Sequence, residues 1–426
     1  MPLNYTPPTL GEHLRTYSSA GIAYVWRRLL TRSTRFVAIS GSNGKTTAKE
    51  ALARILAERG PVASTPGSEN SGPCIARVMR RVRPRHHAAV IEIGISRPGQ
   101  MGKYARLCAP EVAVLTRVSM EHRENIGSIE NIAREKASLL TGLKRGGTAV
   151  LNADDPFVSK MRPPEGCKTL WFGCGEGAEV RVSDAHSAWP ETLRFRVSRG
   201  AESAEVRTKL VGEHWVYALT SAIAAASAMG VPLAESAAAL DGMEPHTSRL
   251  EPVHLPNGAV LWRDDGLATL PTLDVALEAL DRADVKRRWI MTADASFLEE
   301  DPIERREAVA RWVAPKVDAA IFVGEHSDRA AAAARKAGLE EVRDFETVAA
   351  AAEFVRDELG EGDLVLVKAH RTSKLARVAF HLGGRIDCAL LECDLRIRCD
   401  YCPRLGYRPE PEAPKNLRWT PRAKVF

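Results

Sequence analysis

Gly41, Ser42, Asn43, Gly44, Lys45, Thr46 and Thr47 form the run of this chain with the most chemistry in it. Two glycines bound a short loop, a lysine follows at once, and two hydroxyls come next. Gly41 and Gly44 let the backbone curl until several N–H groups face one anion. Lys45 is placed to reach the outer phosphates of a nucleotide, and the Thr46 hydroxyl is a hard oxygen donor suited to Mg²⁺. The apolar Val37-Ala38-Ile39 ahead of the loop reads as a buried strand, and the residues after Lys45 read as a helix. The loop therefore sits at a helix N-terminus, whose positive end favours phosphate. This is a phosphate-cradling P-loop with fewer residues between its glycines than the general pattern has. A plain glycine-rich turn would leave the lysine and the paired hydroxyls without a purpose.

The elements that must hold this loop follow from the apolar pattern. Phe36–Ser40 reads as a strand and Thr46–Arg59 as a helix. Ala88–Ile93, Val112–Thr116 and Thr148–Asn152 read as buried strands, with a helix over Ile129–Leu143. Alternation of this kind predicts an α/β fold with a mainly parallel sheet and its site at the strand carboxyl ends, where Glu92 and His122 also fall. Shorter strands are expected over residues 165–210, and an Ala-rich helix over Val216–Met229. The pattern then restarts. Strands at Ala259–Arg263, Trp289–Thr292, Ala319–Val323 and Leu364–Val367, with a helix at Thr272–Leu280, predict a second, smaller, Rossmann-like α/β domain.

With 426 residues the chain is long enough for two or three domains with large cores. A net charge of +6 is mild; it suits a protein that handles ATP and acidic substrates and does not point to nucleic acid. No stretch reaches the ~18 apolar residues of a membrane span, and residues 1–21 lack a signal-peptide pattern, so a cytoplasmic protein is expected. The stretch from Ile22 to Leu30 is amphipathic and suits a helix packed on the first domain. The basic run Arg77, Arg80, Arg81, Arg83, Arg85 reads first as a solvated helix end, with an acidic ligand as the other reading.

Further short strings follow the P-loop in a set order. They are Ile91-Glu92-Ile93-Gly94 with Arg97-Pro98-Gly99, Pro110-Glu111-Val112, Glu121-His122, Glu135-Lys136-Ala137 and Asn152-Ala153-Asp154-Asp155-Pro156. Ser248-Arg249-Leu250-Glu251, Asp264-Asp265 and the strand ending at Lys368 complete the series. In this order the chain resembles the Mur ligase family over about residues 35–382, most of all the branch that adds D-alanyl-D-alanine to the muramoyl tripeptide. The resemblance implies an enzyme that joins a carboxylate to an amine: ATP phosphorylates the acid, and the amine displaces phosphate. It implies ATP and Mg²⁺ as cofactors, with Thr46, Glu92 and His122 as metal ligands and Lys45, Lys136 and His122 as catalytic residues. Lys136 aligns with a lysine that the family often carbamoylates, which makes it an anionic ligand for a second Mg²⁺. The competing reading pairs it with Glu135 or Glu130 on a solvated helix face. Arg249 and Asp265 match residues that contact ATP when the last domain closes, Lys368 a basic residue near the incoming substrate, and Asn70 a loop near the phosphates.

The resemblance divides the chain into an N-terminal extension (1–34), a central ATP-binding domain (35–246), a C-terminal domain (247–383) and a Cys-containing tail (384–426). It also fails in places. Family members that act on UDP-sugars carry a UDP-binding domain before the P-loop, so an amino acid or peptide is expected here as the acid rather than a UDP-sugar. The family's two adenine-contacting asparagines are Trp215 and Ala218 here; an aromatic such as Trp215 or Tyr217 could stack on the base instead, and packing of Trp215 in the core is the other reading. In the tail, Cys388, Cys393, Cys399 and Cys402 have a spacing that admits structural zinc; buried thiols are the other reading. The sequence thus predicts an ATP-dependent acid–amino acid ligase acting on small molecules, with no nucleic acid and no membrane span. A nucleotide-binding regulatory or scaffold protein, or an amide synthase that needs a partner protein, stands as the alternative.

Overall fold

The computed structural model describes residues 10–67, 70–120, 123–293, 301–370, 373–382 and 399–402. Two sheets organise it. The first contains β1 (Arg35–Ser40), β2 (Val62–Ser64), β3 (Ala88–Glu92), β4 (Val112–Leu115), β5 (Thr148–Asn152), β6 (Lys168–Gly173), β7 (Val180–His186), β8 (Arg194–Arg199) and β9 (Glu202–Arg207). Their spatial order is β2-β3-β1-β4-β5-β6-β7-β8-β9. Strands β2 to β7 pair in parallel, and only the β7-β8-β9 edge is antiparallel. Its helices are α1 (Leu10–Leu29), α2 (Lys45–Ala57), α3 (Gly72–Arg81), α4 (Gln100–Cys108), α5 (Arg123–Ile126), α6 (Ile129–Ala137), α7 (Trp215–Ala228) and α8 (Leu233–Leu240).

The central strand β1 is apolar on both faces because both faces are covered. Val37 and Ile39 point into a core shared with α2 and α7, while Phe36 and Ala38 point into the opposite core with α3 and α4. The sequence expected one helix over Ile129–Leu143. Instead α6 stops at Ala137 and a 3₁₀ turn covers Leu140–Gly142. The turn brings Gly142 against α4 so closely that a Cβ there would lie 2.4 Å from the Ala105 backbone. Helix α1 is held to the sheet by a buried arginine. Arg27 donates to the Cys108 and Ala109 carbonyls at 2.9 and 3.1 Å and pairs with Glu111 at 3.1 Å; Glu111 also accepts the Phe36 N–H at the start of β1.

The second sheet comprises β10 (Glu251–His254), β11 (Val260–Asp264), β12 (Arg287–Thr292), β13 (Ala319–Val323), β14 (Glu341–Phe345) and β15 (Asp363–Lys368), in the order β10-β11-β15-β12-β13-β14. All pairs are parallel except the β10 edge. Helices α9 (Leu270–Asp281), α10 (Pro302–Val313) and α11 (Ser327–Lys336) cover one face, α12 (Val348–Glu358) and α13 (Ala376–Leu382) the other. The two sheets are thus both α/β and mainly parallel. They are joined by direct contacts: the Trp189 ring lies edge-on to Trp262 at 5.9 Å, the Asp284 N–H donates to Trp189 O at 2.8 Å, and Glu213 pairs with Arg282. Among the described residues, no helix is long and apolar enough to cross a membrane.

Candidate nucleotide and metal site

The loop between β1 and α2 has a conformation that only glycine accepts easily. Gly41 has φ +149° and Gly44 φ +80°. A Cβ on Gly41 would fall 2.0 Å from Thr116 Oγ1, so the loop is packed directly on the end of β4. Hydrogen bonds fix it there. The Ser42 N–H donates to Arg117 O at 2.7 Å, Ser42 Oγ donates to Ser119 O at 3.0 Å, and Thr116 Oγ1 donates to Asn43 O at 2.7 Å. Asn43 reaches Ser119 Oγ at 3.2 Å. Lys45 folds back over the loop, its ammonium donating to the carbonyls of Gly41 (2.6 Å) and Ser42 (2.8 Å). The ammonium is thus held against the loop at the start of α2. Thr47 is buried on the first turn of α2.

Beside the loop, three oxygen-rich side chains converge. Thr46 Oγ1 donates to Glu92 Oε2 at 3.0 Å, and Asn70 Nδ2 donates to Glu92 Oε1 at 2.8 Å. Glu92, the last residue of β3, is 1% exposed. Parallel register explains the meeting: Ile39 of β1 pairs with Glu92, which sets the carboxylate level with the start of the P-loop. Thr65 supports Glu92 by accepting its N–H at 2.6 Å. Thr65 O in turn accepts from buried Lys49 at 2.7 Å. Thr65, Lys49 and Ser119 did not stand out in the sequence; a lysine four residues after Lys45, hence one helical turn beyond it, was the available signal for Lys49.

Lys136 lies on α6 and is 1% exposed, so the solvated-face reading does not hold. Glu135, its suggested partner there, has both carboxylate oxygens at the start of α4, accepting the N–H groups of Gly99 (2.9 Å) and Met101 (2.8 Å). His122 lies outside the described residues.

A second cluster stands on the other sheet. Lys368, at the end of β15, is paired with Asp264 at the end of β11, both buried. Burial disfavours the charged form of each, raising the Asp264 carboxyl and lowering the Lys368 ammonium. Arg249 lies within electrostatic reach of both. Arg249 also acts on His246, which faces Glu50 and Lys49 of α2, so the chain between the sheets brings this cluster toward the P-loop helix. Asp265 meets Arg263 at 3.4 Å, and its Oδ1 is buried with no hydrogen-bond partner among the described residues. Arg263 is fully buried. Burial alone would lower its pKa, but Asp265, Asp400 and Glu251 hold it above the ordinary arginine value. Neither Arg263 nor Asp400 stood out in the sequence.

Of the two readings of Trp215, the structure supports core packing over stacking on a base. Its indole N–H donates to Val211 O at 2.9 Å, and the ring is buried in the core under α7. Ala218 packs beneath the P-loop, where its Cβ would lie 3.3 Å from a Cβ on Gly44. Tyr217 is half-buried beside Cys174 and Asp154. The arginines at 77, 80, 81, 83 and 85 are all exposed. In the tail, Cys399 and Cys402 are buried free thiols; Cys388 and Cys393 lie outside the described residues. No group of three or more metal-binding His, Cys, Asp or Glu side chains occurs among the described residues.

A glycine-bounded loop at a helix start on one α/β sheet, joined to a second α/β sheet with buried charged strand ends, fits the two-domain architecture of an ATP-dependent ligase. Residues 39–226 match the Mur ligase middle domain, and residues 248–371 match the Mur ligase glutamate ligase domain. The chain belongs to the Mur ligase family. It is 26% identical over 350 residues to the UDP-N-acetylmuramoyl-tripeptide–D-alanyl-D-alanine ligase of Bacillus subtilis, covering 81% of this chain and 75% of that protein. The ligase of the same name from Mycobacterium tuberculosis is 28% identical over 384 residues, covering 85% and 75%. Among solved structures, MurF of Acinetobacter baumannii superposes with a TM-score of 0.78 at 22% identity, over 86% of this chain and 80% of that one. MurF ligase of Thermotoga maritima in complex with ADP gives 0.73 at 22% identity, over 87% and 85%. At these identities the structures establish the shared fold.

Proposed function

We propose that this ligase uses ATP and Mg²⁺ to convert a carboxylate into an acyl phosphate, which an amine then attacks to form an amide. The observation that carries this reading is the Thr46–Glu92–Asn70 constellation packed against a P-loop whose lysine already lies over it. Phosphoryl transfer asks for charge neutralisation and alignment more than for covalent help. Lys45 supplies one charge and the α2 N-terminus another. A hydroxyl and a buried carboxylate side by side are hard oxygen donors that fit Mg²⁺, a metal that keeps part of its shell as water and phosphate oxygens. Thr46 and Glu92 would hold that ion, and His122 would join them. Mg²⁺ would screen the phosphate oxygens. Lys136, which matches the lysine that the family often carbamoylates, is 1% exposed and would carry the carbamate that holds a second Mg²⁺. Arg249 and Asp265 would meet ATP from the C-terminal domain, with Asp265 held against Arg263.

The substrates are proposed from the relatives. Their names specify a UDP-N-acetylmuramoyl tripeptide as the acid and D-alanyl-D-alanine as the amine. The expectation that a UDP-sugar is excluded has no support in these comparisons, and the muramoyl tripeptide is the first acid to test. Phosphate release with ATP and Mg²⁺ should require that acid and that dipeptide together. Turnover with free amino acids or short peptides instead, and none with the muramoyl pair, would restore the smaller-acid reading. Background release with every acid and amine would overturn the ligase mechanism.

A further inference from the structure

Asp400 lies beyond the family match, which ends at residue 371, yet it is buried inside the C-terminal domain. Its carboxylate engages Arg263 through both oxygens, Oδ1 at 3.0 Å from Nη1 and Oδ2 at 3.2 Å from Nη2. The other two carboxylates around that guanidinium, Glu251 and Asp265, stand at 3.4 Å. Hydrogen bonds from N–H to oxygen weaken past about 3.2 Å, so Asp400 supplies the better carboxylate contacts of this buried cation. The tail is seated for the purpose. Cys399 packs on Ala376 and Phe380 of α13, and the Cys402 N–H donates to Cys399 O at 3.1 Å, closing a turn with Asp400 inside it.

Arg263 holds something in its turn. It donates to Ser248 Oγ at 3.2 Å, while Glu251 accepts the Ser248 N–H at 3.0 Å. Ser248 has φ +60° and Leu250 φ +49°, so Arg249 is presented between two non-glycine residues in the left-handed region. Each such residue costs on the order of 1 kcal/mol, and the geometry lasts only while neighbours enforce it.

We propose that Asp400 is a positioning residue: through Arg263 it fixes the Ser248–Leu250 turn, and with it the placement of Arg249 and Asp265 toward the nucleotide. This rests on the reading of Arg249 and Asp265 as nucleotide contacts. The sequence following the Mur domains thereby becomes part of the apparatus that closes on ATP.

The test uses the full chain, with Asp400→Ala and, as the conservative variant, Asp400→Glu. Amide hydrogen exchange at residues 248–251 should speed up about tenfold in Asp400→Ala while the first sheet is unchanged. Affinity for ADP with Mg²⁺ should fall about fivefold, and Asp400→Glu should recover part of both effects. Adding Asp400→Ala to Arg249→Ala should weaken ADP by clearly less than the two single losses combined, because they share the Arg249 contact. Unchanged exchange at 248–251 with ADP binding intact, or fully additive losses in the double variant, would overturn the role of Asp400. Failure of the wild-type chain to bind ADP would overturn the nucleotide reading beneath it. Should Asp400→Ala not fold, Asp400→Asn keeps the volume, removes the charge, and is read in the same way.

Discussion

Glu92 draws its importance from what surrounds it. A carboxylate at 1% exposure is tolerated because Thr46 and Asn70 each give it a hydrogen bond, and the same two partners aim it at the P-loop. Glu92→Gln keeps the shape and removes the charge. We expect ATP-dependent phosphate release to fall by at least about a hundredfold, while the protein stays folded. Release near the wild-type rate would remove Glu92 from the metal site. Lys45→Ala should lose acyl-phosphate formation altogether, and retained ligase activity in that variant would end the acyl-phosphate reading. At this scale the sequence was most legible where one short segment does the chemistry, as from Gly41 to Thr47. It was least legible where burial decides. Lys136 reads from its neighbours in the helix as one charge among several, and its burial at 1% exposure shows only in the fold. Trp215 reads equally as a stacking surface or a core residue, and its bond to the Val211 carbonyl decides for the core.

Elements convert those residues into a site through register and close approach. The alternation of strand and helix was readable because fully buried parallel strands are apolar throughout. The places where helices stop were less so, since Gly142 ends its helical segment for the sake of a contact with α4, a neighbour the local sequence does not reveal. Gly41 is the reverse case. Its backbone at φ +149° and its lack of room against Thr116 are one requirement stated twice. Gly41→Ala should therefore push the loop off the end of β4 and weaken ADP binding by about tenfold or more, measured by calorimetry. Normal affinity would mean that the loop reshapes at little cost. Arg27 serves α1 in a similar way. With a 2% exposed side chain, it satisfies two carbonyls and Glu111 at the mouth of β1. Removing one partner of a buried pair typically costs about 3 kcal/mol, so Arg27→Ala should shift the urea unfolding midpoint by a corresponding amount. A shift within error would show that α1 is held by its apolar contacts alone.

At the scale of the whole molecule, the two sheets meet around His214. This residue opens α7 on the first sheet, and Lys368 at the end of β15 on the second acts on it electrostatically. Burial, and after it the Lys368 charge, pushes the His214 pKa down to about 3. In the unfolded chain the imidazole titrates near about 6.5. As pH falls, the unfolded chain therefore takes up this proton before the folded one does. The stability that neutral His214 contributes is complete above about pH 6.5 and is lost as the pH drops toward about 3, at up to about 1.4 kcal/mol per pH unit. His214→Gln cannot titrate. The stability difference between wild type and His214→Gln, measured by urea unfolding, should therefore shrink steadily between about pH 7 and about pH 5. A difference that stays constant over that range would show that His214 is hydrated or charged in the folded protein. The contact between the two sheets would then be looser than the His214 and Trp215 rings, 4.4 Å apart centre to centre, imply. A constant difference would also weaken the case for a closing domain held in register with the P-loop. The same contact sets Lys368, with its partner Asp264, beside the start of α7 on the first sheet.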